Sequence, residues 1–172
     1  MRRKKEEIKN KIKEVFSILF VIVFISTLVS CKPQEKKTTT TTAVEDTTVF
    51  LKMQRTPCYG KCPSYVVEIF NNGKVSYLGK MFVDYVGQHE ANLSKSEVDL
   101  IKTKINEINF FELKDKYDSP ATDIPSTIFE VTLNKQFKKI TNRHNGPPEL
   151  KELEKLVEEI VYKSNLKKSE RD

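Results

Sequence analysis

The chain has 172 residues, 31% of them charged, and a formal net charge of +6. Seven of its 30 basic and three of its 24 acidic residues lie within residues 1–30, which leaves 23 basic and 21 acidic residues, a net charge of +2. This mixed surface has no basic stripe interleaved with aromatic residues, which argues against nucleic acid as a partner. The 142 residues from position 31 onward are enough for one domain.

Residues 1–30 have the parts of a secretory signal peptide. A basic start, MRRKK, precedes an uncharged apolar run from Val15 to Ser30, which is short for a membrane-spanning helix of about 20 residues. The run ends in Leu28-Val29-Ser30-Cys31, which resembles the lipobox of bacterial lipoproteins. The resemblance implies cleavage before Cys31, attachment of acyl chains such as palmitate to this residue, and anchoring in the lipid bilayer.

Lys32 follows the cysteine instead of an aspartate that would resemble an inner-membrane retention signal. We therefore expect an outer-membrane lipoprotein that faces the periplasm or the cell surface. The alternative is an uncleaved anchor, amphipathic or single-pass, in which the cysteine is incidental.

The sequence after the cysteine, KPQEKKTTTTTAVED, has low hydrophobicity and no aromatic residue. Such a segment cannot bury enough surface to offset its chain entropy. We therefore predict a lipidated cysteine and flexible Thr-rich stalk over residues 31–46, a single domain over residues 47–163, and a charged disordered tail over residues 164–172.

The domain is predicted to open with strands. Val49, Leu51 and Met53 alternate with polar residues, which indicates a half-buried strand. Two further strands, 65–70 and 75–78, flank Asn71-Asn72-Gly73, a sequence typical of a tight hairpin. A fourth strand is predicted over residues 81–86.

A helix is predicted next. Ser94 and Glu97 have the spacing of a capping box, in which each side chain satisfies a free backbone N–H of the other residue. Four apolar residues then recur on one helical face. They are Val98, Ile101, Ile105 and Ile108.

The second half of the domain begins with a polar loop over residues 114–126, followed by strands over 127–133 and 137–142. Pro147 and Pro148 are predicted to start a second helix. Proline is tolerated there because it lacks a backbone N–H, and an N–H in the first turn of a helix has no hydrogen-bond partner within the helix. Its predicted inward residues are Leu150, Leu153, Leu156, Val157 and Ile160. The order β-β-β-β-α-β-β-α predicts an α+β fold, with an antiparallel sheet of about six strands and both helices on one face.

The stretch PCYGKCPSY is the strongest candidate for chemistry. Once Cys31 is acylated, Cys58 and Cys62 are the remaining thiols, and the envelope is oxidising. The pair would most simply form a disulfide bond, with Gly60 helping the short loop to bend.

Two alternatives remain open at this point. Cys58 and Cys62 could hold copper or zinc together with His144, because thiolates suit soft metals. The string C-x-x-x-C-P is loosely similar to copper-delivery proteins of respiratory oxidase assembly, although their thioredoxin-type fold does not fit this strand order. Thiol redox catalysis usually uses C-x-x-C, so the spacing here is a poor match.

No catalytic residue and no cofactor are predicted elsewhere. His89-Glu90 lacks the second histidine of an H-E-x-x-H zinc helix. Aromatic and charged residues near the cysteines and in the polar loop form a candidate binding patch. Its members are Tyr59, Lys61, Tyr117 and Asp123.

The lipobox, CYGKCPSY, the NNG hairpin and KYDSPATDIPS together resemble a family of bacterial envelope lipoproteins that contain a domain of unknown function. The resemblance covers most of residues 55–161 and implies one α+β domain in the cell envelope, with no activity assigned. Our hypothesis is a non-enzymatic, membrane-tethered binding or scaffolding module for an envelope protein or glycan. The rival hypothesis is a metal-handling or thiol-redox protein centred on Cys58 and Cys62.

Overall fold

The computed structural model describes residues 46–121 and 123–170. The predicted signal peptide, the lipobox and the stalk up to residue 45 lie outside the described residues. The elements are β1 (Val49–Arg55), β2 (Ser64–Phe70), β3 (Lys74–Met81), β4 (Gly87–Asn92), α1 (Lys95–Glu107), a 3-10 turn (Phe110–Glu112), β5 (Lys116–Tyr117), β6 (Thr127–Leu133), β7 (Gln136–Asn142), α2 (Pro148–Lys163) and β8 (Lys167–Lys168).

The described strands form one sheet in the order β5-β7-β6-β1-β2-β3-β4-β8. Neighbours are antiparallel except β5 and β7, which are parallel. The predicted α+β class is confirmed. The sheet has eight strands where about six are predicted, because β5 and β8, of two residues each, extend its edges.

One face of the sheet carries the core. Alternate strand side chains point to that face, and both helices bury apolar residues in the same cluster, so both helices pack on one side. Burying a large apolar side chain contributes roughly 1.5–3 kcal/mol. The strand residues of the core include Leu51, Met53, Tyr65, Val67, Ile69, Val75, Tyr77, Phe129, Val131 and Ile140.

Both helices begin where the sequence predicts. The Ser94 hydroxyl accepts a hydrogen bond from the Glu97 N–H, and the Glu97 carboxylate accepts one from the Ser94 N–H, which completes the capping box of α1. Pro148 is the first residue of α2. Leu156, predicted to face inward, is only half-buried, because the buried stripe of α2 passes instead through Glu154 and Val161.

The predicted hairpin between β2 and β3 is confirmed. Gly73 has φ of +90°, and a Cβ there would lie 2.5 Å from the carbonyl oxygen of Leu93. Glycine is therefore required both by the backbone conformation and by the close approach of the chain that leads into α1.

The fourth strand differs from its prediction. Met81 ends β3, residues 82–86 form a turn, and β4 begins at Gly87. The turn folds back over β3, where a Cβ on Gly79 would lie 1.8 Å from the carbonyl oxygen of Tyr85. Because Gly79 has no side chain, the turn can lie against the sheet. The fourth strand therefore begins at Gly87, later in the chain than predicted.

Two other segments also differ from their predictions. Within the polar loop of residues 114–126, Lys116 and Tyr117 form β5 beside the end of β7. The predicted tail contains β8, which pairs with His89 and Glu90 of β4. Leu166 explains this pairing, because its burial in the core brings the residues that follow it to the free edge of β4.

The sheet has two distinct ends. At the proximal end, the described chain begins at Asp46, whose carbonyl accepts a hydrogen bond from the Asn72 N–H in the β2–β3 turn. The distal end comprises the segments 56–63, 82–86, 118–121, 123–126 and 143–147. In residues 46–121 and 123–170, no helix has the length and apolar character needed to cross a membrane.

Candidate functional site

A disulfide bond joins Cys58 and Cys62 in the loop between β1 and β2, with Cα atoms 5.7 Å apart. The loop is held against the chain before β6 by two hydrogen bonds. The Thr56 N–H donates to the Ser126 carbonyl at 2.9 Å, and the Ser126 N–H donates to the Thr56 hydroxyl at 2.7 Å. The short covalent ring is therefore fixed at the distal end of the sheet.

The fixed loop presents an aromatic side chain to solvent. Tyr59 is 96% exposed, and its N–H donates to the Asp123 carbonyl at 3.4 Å. The last residue of β3 and the turn that follows it add three exposed apolar side chains at the same end of the sheet. We name this set the distal apolar patch: Tyr59, Met81, Phe82 and Val86.

Phe82 is backbone-strained as well as exposed. Its φ of +55° lies in the left-handed region, which bulky residues rarely adopt. Such strain persists where the surrounding structure imposes it, and it is common at functional sites. The turn therefore holds a large apolar side chain in solvent at a conformational cost.

A cavity of about 390 Å³ opens beside the disulfide-fixed loop, between the chain before β6, the end of β7 and the start of α2. Its polar lining includes three cationic side chains and one carboxylate. They are Arg55, Arg143, Lys151 and Glu154. We name this the cationic cavity.

An ion network forms the floor of the cationic cavity. Glu154, which is 2% exposed, pairs with Arg55 and lies 3.1 Å from the Lys151 ammonium. Arg55 also donates to the Thr127 hydroxyl at 3.3 Å. Burial, and next the charge of Arg55, lower the pKa of Lys151. The charge of Glu158 raises this pKa, but it does not offset the effects of burial and Arg55.

Three buried polar atoms, which belong to residues that line the cavity, have no hydrogen-bond partner within the described residues. They are Arg55 Nε, Arg143 Nε and Asn142 Oδ1. Buried polar groups are nearly always hydrogen-bonded, so each unsatisfied one calls for an explanation. Each of these atoms has less than 1 Å² of accessible surface, so they lie behind the surface of the cavity and do not face a ligand in it.

A larger groove of about 780 Å³ runs along the outer edge of β7, beside Phe111 and Phe137. Lys138 and Lys139 also line it. Lysines on an exposed edge are a common protection against pairing with another strand. We therefore regard the smaller cationic cavity, with its three cationic side chains, as the stronger candidate site.

The part of the chain that matches a known family runs from β1 almost to the end of α2. The sequence model of a domain of unknown function, DUF6438, matches residues 49–161, more than half of the chain. The chain belongs to the DUF6438 family. A comparison with curated proteins finds no match at significant similarity.

The DUF6438 domain separates the predicted metal ligands. Cys58 and Cys62 are bonded to each other, whereas His144 lines the cationic cavity, which neither cysteine lines. His89 is buried among tyrosine rings, and its Nδ1 lies 3.2 Å from the Gly87 carbonyl. Among residues 46–121 and 123–170, no group of three or more His, Cys, Asp and Glu side chains could hold a metal ion.

The predicted binding patch is brought together only in part. Tyr59 contacts the Asp123 backbone, and Lys61 is exposed in the same disulfide loop. Tyr117 instead packs against the core, and its hydroxyl accepts a hydrogen bond from the Lys114 N–H at 3.1 Å. Cys31 lies outside the described residues.

A second cluster of the domain is aromatic and lies between α2 and strands β2 to β4. The Tyr65 hydroxyl donates to the Glu158 carboxylate, and the Tyr77 and Tyr162 hydroxyls share a hydrogen bond of 3.2 Å. Burial, and then these hydrogen bonds, raise the pKa of Tyr65 and Tyr77 well above the ordinary value. The rings in contact are those of Tyr65, Tyr77, Tyr85, His89 and Tyr162.

Sequence reasoning missed the residues of the cationic cavity, although part of the pattern is visible. Arg55 continues the inward alternation of Leu51 and Met53. Glu154 lies on the inward stripe of α2, between Leu153 and Val157. Two opposite charges at inward positions of different elements would have indicated a buried ion pair.

Proposed function

We propose that this DUF6438 protein is an envelope lipoprotein, anchored through acylated Cys31, whose domain is a non-enzymatic binding module. The observation that carries the proposal is the bond between Cys58 and Cys62. Disulfides form and persist mainly in oxidising compartments, so the bond favours export across the inner membrane. It also leaves Cys31 as the one cysteine free for acylation.

The placement of the two ends of the sheet supports a tethered arrangement. The described chain begins at Asp46, at the proximal end, whereas Tyr59 and Phe82 lie at the distal end. The seven residues of β1 separate these ends by roughly 20 Å. A tether at residues 31–46 would thus leave the distal apolar patch away from the attachment point and available to a partner.

Cell fractionation of two variants tests the anchoring. Cys31→Ala should accumulate as an unprocessed precursor and be lost from the outer-membrane fraction. The matched control, the double variant Cys58→Ser/Cys62→Ser, loses two cysteines but keeps Cys31, and it should mature and fractionate normally. Normal maturation of Cys31→Ala would contradict the proposal.

Site-specific photo-crosslinking in intact cells tests the binding role. A photoreactive amino acid at Tyr59 or Phe82 should give a discrete adduct. The same group at Leu100, an exposed apolar residue on α1, should not. Adducts of equal yield at all three positions would indicate random collision and contradict a specific distal surface.

A further inference from the structure

The outer edge of β7 is open over most of its length. β7 pairs with β6 along one side, and on the other side β5 pairs only with Thr141 and Asn142. No strand among the described residues lies beside residues 136–140 on that side. We name these residues the open edge of β7. The groove of about 780 Å³ runs along it.

The hydrogen bonds of β7 show which backbone groups face the open edge. Along an antiparallel strand, successive residues direct their N–H and C=O groups to opposite sides. The N–H groups of Thr141 and Arg143 donate outward, to carbonyls of the segment that contains β5. Phe137 and Lys139 have the same parity, so their N–H and C=O groups also point outward, where no described strand pairs with them. The open edge therefore presents a row of unpaired backbone donors and acceptors.

We infer that the open edge of β7 binds an extended peptide segment of a partner protein, which adds a strand to the sheet. An extended backbone presents N–H and C=O groups at the spacing of this row, and main-chain hydrogen bonds supply the affinity in strand addition. The inference goes beyond the proposed function, because it concerns a surface other than the distal apolar patch and does not depend on acylation of Cys31.

An aromatic side chain lies on each face of the sheet beside the open edge. Phe137 is 65% exposed, on the face opposite to that of the buried Ile140. Phe111 packs partly against the core and lines the groove, so it lies on the helix side. Because the side chains of a strand alternate between two faces, an added strand would place one set beside Phe137 and the other toward Phe111.

The lysines of β7 do not cover the open edge. Lysines protect an edge when their ammonium groups stand beside it. The Lys139 ammonium lies instead 2.8 Å from the carboxylate of Glu130 on β6, on the side away from the open edge. The Lys138 ammonium lies 2.8 Å from the Asp115 carboxylate, next to β5. The backbone of these residues is therefore accessible to another strand.

The charge of the open edge favours a partner peptide over a second copy of this chain. Segments 112–116 and 135–139 contain five lysines and two acidic residues. With Asp118 and Glu130, which pair with Lys116 and Lys139, the five positive charges still exceed four negative ones. Pairing two such edges would bring like charges together, which is unfavourable between strands. We therefore expect an added strand with apolar residues and acidic ends.

Calorimetric titration of the full chain, purified in a non-ionic detergent, tests the inference with the acetylated and amidated peptide EVTVTVE. We expect saturable binding, and weaker binding of KVTVTVK, in which lysines replace both glutamates. N-methylation at the second and fourth residues, or at the third and fifth, removes N–H donors from one side of the added strand. One of these two changes should weaken binding at least about tenfold and the other should not, because a strand pairs with the edge through one side.

Three results of these titrations would overturn the inference. They are no binding of EVTVTVE, tighter binding of KVTVTVK, and an equal loss of affinity from both N-methylated peptides.

Two variants of Lys139 assign the binding to the open edge. Lys139→Pro removes an outward N–H that makes no bond to β6, and proline is tolerated at such positions of an edge strand. Lys139→Gln removes the same charge but keeps the N–H. Lys139→Pro should bind EVTVTVE at least about tenfold more weakly than Lys139→Gln, since it loses a hydrogen bond and its ring obstructs the added strand.

Equal binding of EVTVTVE by the two folded variants would overturn the inference. If Lys139→Pro fails to fold, the N-methylated peptides provide the test on the unaltered protein. A dimer that Lys139→Pro abolishes, without binding of the peptide, would identify a second copy as the occupant and would also overturn the inference.

Discussion

Arg55 at the end of β1 and Glu154 in the second turn of α2 form an ion pair across the interface between sheet and helix. Their side chains are 17% and 2% exposed. Arg55 continues the alternation of inward side chains in β1, and Glu154 lies on the inward face of α2, so both occupy positions at which an apolar side chain is expected. The pair thus connects the distal end of the sheet to the start of α2 and forms the floor of the cationic cavity.

The first prediction concerns this pair. Arg55→Met should lower the free energy of unfolding by about 3–5 kcal/mol, because it leaves the Glu154 charge buried without its main partner. The double variant Arg55→Met/Glu154→Leu should recover at least half of that loss, since two apolar side chains replace both charges. Urea unfolding of both variants measures the difference. A double variant that is less stable than Arg55→Met would contradict this account.

The tyrosine cluster predicts a loss of stability at alkaline pH. The pKa values of Tyr65 and Tyr77 are raised in the folded state, chiefly by burial. Their stabilising contribution is complete below the ordinary pKa of about 10 and is lost as pH rises above it, because only the unfolded state then releases these protons. Urea midpoints between pH 9 and pH 11 should fall less steeply in Tyr65→Phe than in the unaltered protein. Parallel profiles would contradict the raised pKa.

The disulfide bond is predicted to stabilise the domain modestly. Closing so short a loop contributes about 2 kcal/mol through the unfolded chain, so Cys58→Ser/Cys62→Ser should unfold at a lower temperature but remain folded. A reducing agent should lower the melting temperature of the unaltered protein to that of the variant and leave the variant unchanged. If the reducing agent also lowered the melting temperature of the variant, loss of the disulfide bond would not be the cause of the effect.

The cap of α1 predicts an acid-dependent effect. Hydrogen bonds from the Ser94 hydroxyl and then the Ser94 N–H lower the pKa of Glu97 from its ordinary value of 4.5. Glu97 therefore stabilises the fold above about pH 4.5, and this contribution is lost as pH falls through the lowered pKa. Ser94→Ala should cost about 1 kcal/mol at pH 7. The stability difference between Glu97→Ala and the unaltered protein should narrow below pH 4, and a constant difference would contradict the assignment.

Local patterns predicted the elements whose determinants are local. The capping residues Ser94 and Glu97 locate α1, and Gly73 locates the β2–β3 hairpin. The start of β4 could not be predicted in this way, because it depends on the backbone of Tyr85 lying against Gly79. Likewise β8 exists because Leu166 reaches the core and brings its neighbours to an open strand edge.

The disulfide was predictable from Cys58 and Cys62, since the two are close in sequence and Gly60 between them lets the loop bend. The cationic cavity was not predictable, because its residues come from four separate segments. Arg55, Asn142 and Lys151 meet only when β1, β7 and α2 converge at one end of the sheet. Sequence spacing carries no information about that convergence.

Mass spectrometry of the mature N-terminal peptide from isolated membranes tests whether this protein is a lipoprotein. We expect this peptide to begin at Cys31 and to carry the mass of acyl chains, with no peptide from residues 1–30 in the mature protein. A mature chain that retains residues 1–30, or an unmodified Cys31 that reacts with an alkylating agent, would show that the protein is not a lipoprotein.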